Sequence, residues 1–224
     1  MNPEEADMAG PWVSAAATLF PRARVLLFAK APVPGQVKTR MIPALGADGA
    51  AGLHARLLRE TVVRLSAAAV APLELWCAPD TRHALFGELA ELHGLTLHQQ
   101  RGDGLGERLL GASADALGRA DSVALIGSDC PELGAAYLAQ AFDALRSTGV
   151  DAVLGPAADG GYVLLALRRA EPPLFTEMPW GGDQVAAITR ERMAALGWRW
   201  RELPVLRDVD RPPDLLWYPS LAGA

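Results

Sequence analysis

The stretch RVLLFAKAPVPGQVKTRMIPALG, residues 24–46, begins as an apolar strand and continues as a basic loop. Lys30, Lys38 and Arg40 follow the apolar run, in a loop that also contains two prolines and a glycine. No acidic residue occurs in residues 8–47. Because nothing nearby in the sequence neutralises these charges, we expect the loop to bind an anion that comes from outside. A ligand loop directly after a buried strand is typical of open α/β sheets.

The rest of the chain alternates short apolar runs with helical patterns, and nothing in it indicates an internal repeat or a linker. This alternation predicts an α/β fold, a Rossmann-like, mostly parallel sheet with helices on both faces. The predicted strands are residues 24–29, 73–78, 95–100, 122–128, 151–157 and 161–167. The predicted helices are residues 48–69, 81–93, 106–118, 133–147 and 183–196, with Thr81 and Asp183 as N-caps.

Composition limits the possible functions. The chain has 224 residues, of which 50% are hydrophobic and 21% charged, enough for a substantial core. We expect one domain over residues 21–224, preceded by a loosely ordered extension at residues 1–20. The net charge of −5 argues against nonspecific nucleic-acid binding, which needs a broad basic face.

The cysteines and the amino terminus give further limits. Two cysteines, Cys77 and Cys130, cannot form a disulfide framework or a metal cage, so we expect half-buried thiols. No apolar stretch reaches the roughly 20 residues that cross a bilayer. Glu4, Glu5 and Asp7 have the wrong sign for a signal peptide. We therefore expect a cytoplasmic protein without membrane contact.

The basic loop matches neither common phosphate-binding motif. A Walker A loop needs glycines where Val37 and Pro32 stand, and a dinucleotide fingerprint needs three glycines. Phosphate binding remains physically reasonable, because Gly35 lets backbone amides approach an anion while Lys38 and Arg40 supply positive charge. A solvated basic loop without a ligand is the alternative.

Carboxylates follow other predicted strands. Asp129 ends the strand ALIGS, where it could hold Mg²⁺ or cap the following helix. Asp159 lies in a Gly-Gly turn that could belong to a plain hairpin. Asp208 and Asp210 lie on an extended segment, and we expect only one of them to face the site. Asp214, after two prolines, could cap the last short helix.

The glycine-rich loop GDGLGER, residues 102–108, follows the third predicted strand. Its glycines permit close backbone approach to a flat ligand such as a base or a ribose.

Five stretches, taken in order, are similar to the motifs of one family. They are FAKAPVPGQVKTRMIPALG (28–46), GDGLGERL (102–109), GSDCPEL (127–133), GPAADGGYVLLAL (155–167) and DVDRPPDL (208–215). The chain resembles a bacterial family of formerly unknown function that is grouped with the GT-A-type glycosyltransferases as nucleotide-diphospho-sugar transferases, and that includes arsenosugar-biosynthesis-type glycosyltransferase-like proteins. The resemblance spans residues 24–216. That family is similar to the guanylyltransferases that activate phospholactate and molybdopterin.

The resemblance implies a nucleotide-diphospho-sugar transferase fold that binds a nucleotide over its first half, with Mg²⁺ or Mn²⁺ as cofactor. The implied phosphate-binding residues are Lys30, Lys38 and Arg40, with Gly35 at the turn, and the residues near base and ribose are Gly104 and Arg108. Asp129 and Asp210 are the implied metal ligands. Asp159 would face the acceptor or its activating metal and would join Lys38 and Arg40 in catalysis. Most glycosyltransferases of this fold carry an Asp-X-Asp pair, whereas Gly127 leaves Asp129 alone.

The leading hypothesis is a glycosyltransferase that moves a sugar from a nucleotide diphosphate to a small acceptor. The alternative is a nucleotidyltransferase that joins an NTP to a small phosphorylated metabolite and releases pyrophosphate, which the lone Asp129 and the long basic loop favour. A third reading is a nucleotide-binding protein without catalysis. The expected partners are thus a nucleotide sugar or NTP and a small acceptor, and a homodimer is compatible with all three readings.

Overall fold

The computed structural model describes residues 18–221. Its strands are β1 (Ala23–Lys30), β2 (Leu73–Ala78), β3 (Thr96–Gln99), β4 (Ser122–Gly127), β5 (Ala152–Pro156), β6 (Tyr162–Leu167) and β7 (Trp200–Glu202). Its α-helices are α1 (Ile42–Ala68), α2 (Ala84–His93), α3 (Leu105–Leu117), α4 (Ala135–Arg146) and α5 (Val185–Ala195). Short 3₁₀ helices occupy Thr39–Met41, Pro172–Leu174, Pro212–Trp217 and Pro219–Leu221.

The seven strands form one sheet in the order β3-β2-β1-β4-β6-β5-β7. All neighbouring pairs are parallel except the two pairs made by β6, which runs antiparallel to β4 and β5. β1 connects to β2 on one side and lies beside β4 on the other, so the strand order reverses there. In open sheets, ligands bind beyond the carboxyl ends of the strands at such a reversal.

Helices cover both faces of the sheet, as the alternating pattern predicts. Apolar residues of α1, α2 and α4 pack on one face, around fully buried side chains such as Leu58, Phe86 and Phe142. Residues of α3 and α5, such as Ala112 and Met193, pack on the other face. A third cluster joins the first half of α1 to the carboxyl-terminal segment around Val209, Leu215 and Leu221. That last contact brings the segment at residues 208–215 to the ligand side of the sheet.

Two helices begin later than predicted, because Thr81 and Asp183 do not cap them. α2 begins three residues after Thr81, because His83 accepts the backbone N–H of Leu85 at Nδ1. Gln184, and not Asp183, precedes α5 and makes no side-chain cap. α1 already begins at Ile42, and Gly46 breaks its regular geometry with φ +72°. β7 was not predicted.

The first residues of the described chain are part of the fold. Phe20 is buried, its backbone N–H donates to the carbonyl of Val70, and its ring packs against Phe142 with centroids 5.4 Å apart. Residues 1–17 of the extension predicted at residues 1–20 lie outside the described residues.

Within residues 18–221, the helices lack the combination of length and apolarity that crossing a bilayer requires.

Candidate active site

Four adjoining cavities follow the carboxyl edge of the sheet and together form one cleft. The β3 cavity, about 560 Å³, lies beyond β1, β2 and β3. The loop cavity, about 410 Å³, lies between the basic loop and the end of β4. The β3 cavity and the loop cavity are continuous, because Lys30 and Gln100 line both. The β3 cavity also contains Gln99, Arg101, Gly102 and Arg108, and the loop cavity Lys38, Arg40, His54, Asp129 and Asp210.

The other two cavities continue the cleft past Asp129. The acidic cavity, about 280 Å³, is lined by the carboxylates of residues 208–215, which we call the closing segment. The apolar cavity, about 230 Å³, lies between α3 and the start of β6. Asp159 lines both of them. The acidic cavity includes Arg40, Asp208, Asp210 and Asp214, and the apolar cavity includes Phe28, Leu105, Tyr162 and Trp180.

The basic loop turns sharply just after β1. The backbone N–H of Gln36 donates to the carbonyl of Val33 at 3.0 Å, which closes a turn with Pro34 and Gly35 at its centre. Gly35 has φ +81°, a conformation that is strained for any other residue. The predicted turn glycine therefore lies at a turn, while its own atoms line none of the four cavities.

Lys38 occupies an unusual backbone conformation and points inward. Its φ is +46° and ψ +40°, in the left-handed region, which costs about 1–2 kcal/mol for a residue with a Cβ. The side chain is only 3% exposed. Its Nζ lies 2.9 Å from Oδ2 of Asp129 and donates to the carbonyl of Val209. These two bonds hold the left-handed residue in place and connect the loop to β4 and to the closing segment.

Arg40 also has a carboxylate partner. Its Nη1 lies 2.5 Å from Oδ2 of Asp210, and its Nη2 is 3.5 Å from the carbonyl of Gly181. The basic loop thus lacks acidic neighbours in sequence but has two in space, since Lys38 pairs with Asp129. The expectation that only an external anion would neutralise the loop is wrong for these two cations. Lys30, at the end of β1, pairs with no carboxylate of the described residues.

Asp129 emerges beyond the end of β4 with its side chain 42% exposed. Burial acts to raise the pKa of this carboxyl, but Lys38, His54 and the Ser128 hydroxyl together outweigh it, so the pKa lies below the ordinary value. Its Oδ1 lies 3.9 Å from Nδ1 of His54. The backbone carbonyl of Asp129 accepts the N–H of Val209 at 2.8 Å, which fixes the closing segment against β4.

His54 lies at the cleft although it belongs to none of the five sequence motifs. It lies on α1, is 6% exposed and lines the loop cavity. Burial lowers the pKa of its imidazole, and Nε2 lies 3.0 Å from the carbonyl of Lys30. A carbonyl only accepts, so the neutral ring carries its proton on Nε2. A histidine within the apolar stripe of Leu53 and Leu57 was the signal available in the sequence.

Asp208 and Asp210 both line the acidic cavity, which corrects the expectation that only one would face the site. The physical reason is that residues two apart on an extended segment point to the same side. Their environments differ. Burial and the negative charge of Asp159 raise the pKa of Asp208 to about 6, with Asp129 adding to the effect.

Asp214 caps the short helix Pro212–Trp217 from within it, as the third residue of the helix, while Arg211 occupies the N-cap position. Oδ2 of Asp214 accepts the backbone N–H groups of Asp210 at 2.9 Å and Arg211 at 2.6 Å. These bonds fix the backbone that carries Asp210, so the cap also serves the site.

The glycine-rich loop leads into α3 as predicted. Gly102 has φ +128°, and a Cβ there would come within 2.6 Å of Glu107. Arg108 donates from Nε to the carbonyl of Gly102 at 2.9 Å and lines the β3 cavity. Gly104 precedes α3 but lines none of the four cavities, and a Cβ would have open space there. Of the two residues implied near the base and ribose, only Arg108 therefore faces the cleft.

Asp159 lies in the turn between β5 and β6, so the hairpin reading is confirmed. Its Oδ1 accepts the backbone N–H of Gly161 at 2.9 Å, which leaves the second oxygen for another partner. Gly160 has φ +91°, and a Cβ there would come within 2.0 Å of the carbonyl of Asp183. The Gly-Gly pair thus lets the turn pack closely enough to place Asp159 at the cleft.

The carboxylates of the cleft are oxygen donors of the kind that divalent cations prefer. The raised pKa of Asp208 indicates carboxylates that repel one another without a full counter-charge. Within residues 18–221, no group of three or more His, Cys, Asp or Glu side chains is placed so that it could hold a metal ion by itself. Mg²⁺ usually takes one or two carboxylates and completes its shell with phosphates and water. Asp129 and Asp210 line the loop cavity together, and Asp208 and Asp210 share the acidic cavity, so all three carboxylates could supply oxygen ligands.

Comparison with known proteins agrees with the fold. Residues 61–182 match the family described as an uncharacterized protein conserved in bacteria (DUF2064). The chain belongs to the DUF2064 family. A crystal structure from Desulfovibrio desulfuricans G20, provisionally named a nucleotide-diphospho-sugar transferase, is 31% identical, with a TM-score of 0.79 over 89% of this chain and 88% of that one. The predicted family resemblance and the nucleotide-diphospho-sugar transferase fold of GT-A type are thus confirmed.

Less similar structures with the same fold include a nucleotidyltransferase and a sugar-transferring enzyme. A cytidylyltransferase from Leptospira borgpetersenii is 14% identical, with a TM-score of 0.56 over 91% of this chain and 93% of that one. Glucosyl-3-phosphoglycerate synthase from Mycobacterium tuberculosis, in a complex with Mn²⁺ and UDP, is 16% identical, with a TM-score of 0.54 over 91% and 76%. At these identities the likeness of this DUF2064 protein concerns the fold alone. No curated protein matches the chain.

Proposed function

We propose that this DUF2064 protein is a metal-dependent glycosyltransferase that takes a sugar from a nucleoside diphosphate and moves it to a small acceptor. The observation that carries the proposal is the pairing of Lys38 with Asp129 and of Arg40 with Asp210. Both cations are shared with carboxylates, so the loop offers less positive charge to a ligand than its sequence suggests. A diphosphate needs fewer cationic contacts than a triphosphate, which favours glycosyl over nucleotidyl transfer.

The order of the cavities supports the same assignment. The β3 cavity has room for base and ribose, and the loop cavity brings Lys30, Lys38 and Arg40 to the phosphates. Beyond Asp129, the acidic and apolar cavities leave space for the sugar and the acceptor on either side of Asp159. The donor and acceptor would thus meet between the basic loop and Asp159.

The charges suggest a division of roles. As the sugar leaves, negative charge grows on the diphosphate, and Lys38 and Arg40 are placed to stabilise it. Asp159 has one carboxylate oxygen available to take the proton of an acceptor hydroxyl. A divalent cation held by Asp129 together with Asp210 or Asp208 would neutralise further charge on the diphosphate. The backbone of Val209 positions both Asp129 and Lys38.

A panel of ligands tests the proposal. The melting temperature is measured with UDP-, GDP-, CDP- and ADP-sugars and with the four NTPs, each with and without Mg²⁺. A ligand at about 100 times its dissociation constant stabilises the fold by about 2.7 kcal/mol, which is about 5–11 °C for a domain of this size. The proposal expects Mg²⁺-dependent stabilisation by a nucleotide sugar. Stabilisation by an NTP alone would favour nucleotidyl transfer instead.

Two variants at opposite ends of β4 provide the control. Asp129→Asn should abolish the Mg²⁺-dependent part of the shift. Asp121→Asn changes an exposed carboxylate that pairs with Arg22 beside the start of β4, so it should leave the shift unchanged. A folded Asp129→Asn protein that keeps the full Mg²⁺ effect would contradict the assigned metal site.

A further inference from the structure

Gln100 is a buried carboxamide whose orientation is fixed by the backbone. The residue is 9% exposed and follows the end of β3. Its Nε2 donates to the carbonyl of Trp76 at 2.8 Å and to that of Ala29 at 3.2 Å. Both partners only accept, so the nitrogen must face them. The carbonyl oxygen Oε1 then points away from these strands, has no protein partner within residues 18–221, and belongs to a side chain that lines the β3 and loop cavities.

Gln99 repeats the arrangement beside it. Its Nε2 donates to the carbonyl of Pro79 at 2.9 Å, and its side chain also lines the β3 cavity. Two neighbouring glutamines therefore use their amide nitrogens for the protein and keep their carbonyl oxygens for a ligand. Either residue alone would be an ordinary polar side chain. Together they give the cavity a pair of hydrogen-bond acceptors.

Donors line the same cavity. Arg108 uses Nε on the carbonyl of Gly102, so its two terminal nitrogens remain available. Arg101 is exposed beside it and makes no ion pair within the described part of the chain. The β3 cavity thus combines two fixed acceptors with guanidinium donors.

We propose that Gln100, assisted by Gln99, reads the base of the nucleotide and selects guanine. Guanine presents two adjacent donors, N1–H and the 2-amino group, together with the acceptors O6 and N7, which suit an arginine. Glutamine recognises adenine through its oxygen and nitrogen together, and here the protein already uses both N–H groups of Gln100. Uracil has a single ring donor, and the two N–H groups of cytosine diverge from one amino nitrogen, so neither base presents the two parallel donors on adjacent atoms that guanine offers to the pair of acceptors.

The inference rests on the proposed function, because it requires a nucleotide in the cleft. It is tested by calorimetric titration of the full chain, with Mg²⁺, against GDP, UDP, CDP, ADP and IDP. IDP lacks only the 2-amino group of GDP. We expect GDP to bind at least about tenfold more tightly than UDP, CDP and ADP, and about tenfold more tightly than IDP, since each lost hydrogen bond leaves a group unpaired.

Two variants test whether Gln100 and Gln99 cause the preference for GDP. Gln100→Leu should remove most of the preference for GDP while changing UDP affinity by less than about twofold. Because Gln100 also joins β1 and β2, its variant is used only if circular dichroism shows a folded protein. Gln99→Leu is the second test, because Gln99 is exposed, and it should reduce the preference for GDP several-fold.

The outcomes separate the two proposals. Binding of all five diphosphates within about threefold would overturn the selection of guanine and leave the proposed function standing. An equal loss for every nucleotide in Gln100→Leu would also overturn it, because that result indicates a ribose or phosphate contact. Binding by none of the diphosphates would overturn this inference together with the proposed function.

Discussion

Replacing Asp208 with asparagine should make the unliganded protein more stable above neutral pH, although it removes a charged residue from the candidate active site. Burial and the charge of Asp159 raise the pKa of Asp208 from 3.8 to about 6. A carboxyl whose pKa is higher in the folded than in the unfolded chain takes up a proton on folding. Its contribution to stability is therefore complete below about pH 4 and is lost as the pH rises through about 6.

The size of the effect follows from the shift in pKa. A rise from 3.8 to about 6 corresponds at most to about 3 kcal/mol of destabilisation by the ionised Asp208 at pH 8. The side chain is only half-buried, so solvent screening reduces this to about 2 kcal/mol. Asparagine has no charge to repel Asp159 and should recover that amount. For a domain of this size the melting temperature should rise by about 4–8 °C at pH 8.

The assay is thermal unfolding at pH 4 and at pH 8, without metal or nucleotide, for the wild type and two variants. Asp210→Asn is the matched control, two residues along the same segment. It breaks the partly exposed pair with Arg40 and should lower stability by about 0–1 kcal/mol at pH 8. The reasoning is refuted if Asp208→Asn is no more stable than the wild type at pH 8, or if its advantage is the same at pH 4.

Two further predictions concern packing and reactivity. Gly160→Ala should destabilise the protein by at least about 2 kcal/mol in denaturant unfolding and reduce activity. The reason is that Gly160 has φ +91° and an added Cβ would come within 2.0 Å of the carbonyl of Asp183. Gly104→Ala is the control, because Gly104 has φ −117° and open space for a Cβ, and its stability should stay within about 0.5 kcal/mol of the wild type. Burial raises the pKa of Cys77 to about 12 and that of Cys130 to about 11. A thiol reagent at pH 8 should therefore label neither cysteine until denaturant is added, and rapid labelling of the native protein would contradict this.

Most of the fold could be predicted because its signals are local. Each of the six predicted strands is a short apolar run, and the structure has a strand within each of them or within a residue or two. The possible hairpin at Asp159 indicated that β6 runs antiparallel to β5, but the insertion of β6 between β4 and β5 could not be predicted, since an apolar run such as GYVLLAL suits any interior position of the sheet. β7 has only three residues, WRE, without an apolar pattern, and pairs with β5 at the edge of the sheet. Its existence depends on tertiary pairing.

The site was harder to predict, because its contacts join residues far apart in the sequence. Of the residues in the five motifs, Lys38, Asp129, Asp159 and the closing segment line the cleft. They did not indicate which cation pairs with which carboxylate, since charge balance in the loop depends on partners supplied by β4 and by residues 208–210. His54 escaped notice for a similar reason. A histidine in an apolar helical stripe usually satisfies its hydrogen bonds within the core, and only the direction of α1 brings it to the cleft.

The ion pairs also give a reason why the cleft contains both charge signs. Three carboxylates without Lys38 and Arg40 would repel one another, as the raised pKa of Asp208 indicates even in their presence. Three loop cations without carboxylates would repel in the same way and would strain the left-handed backbone at Lys38 without the bonds that hold it. A phosphate group entering alone would compete with Asp129 for Lys38, and a divalent cation entering alone would compete with Lys38 for Asp129. The pair entering together replaces both partners at once, so nucleotide and metal should each increase the affinity for the other by the same factor.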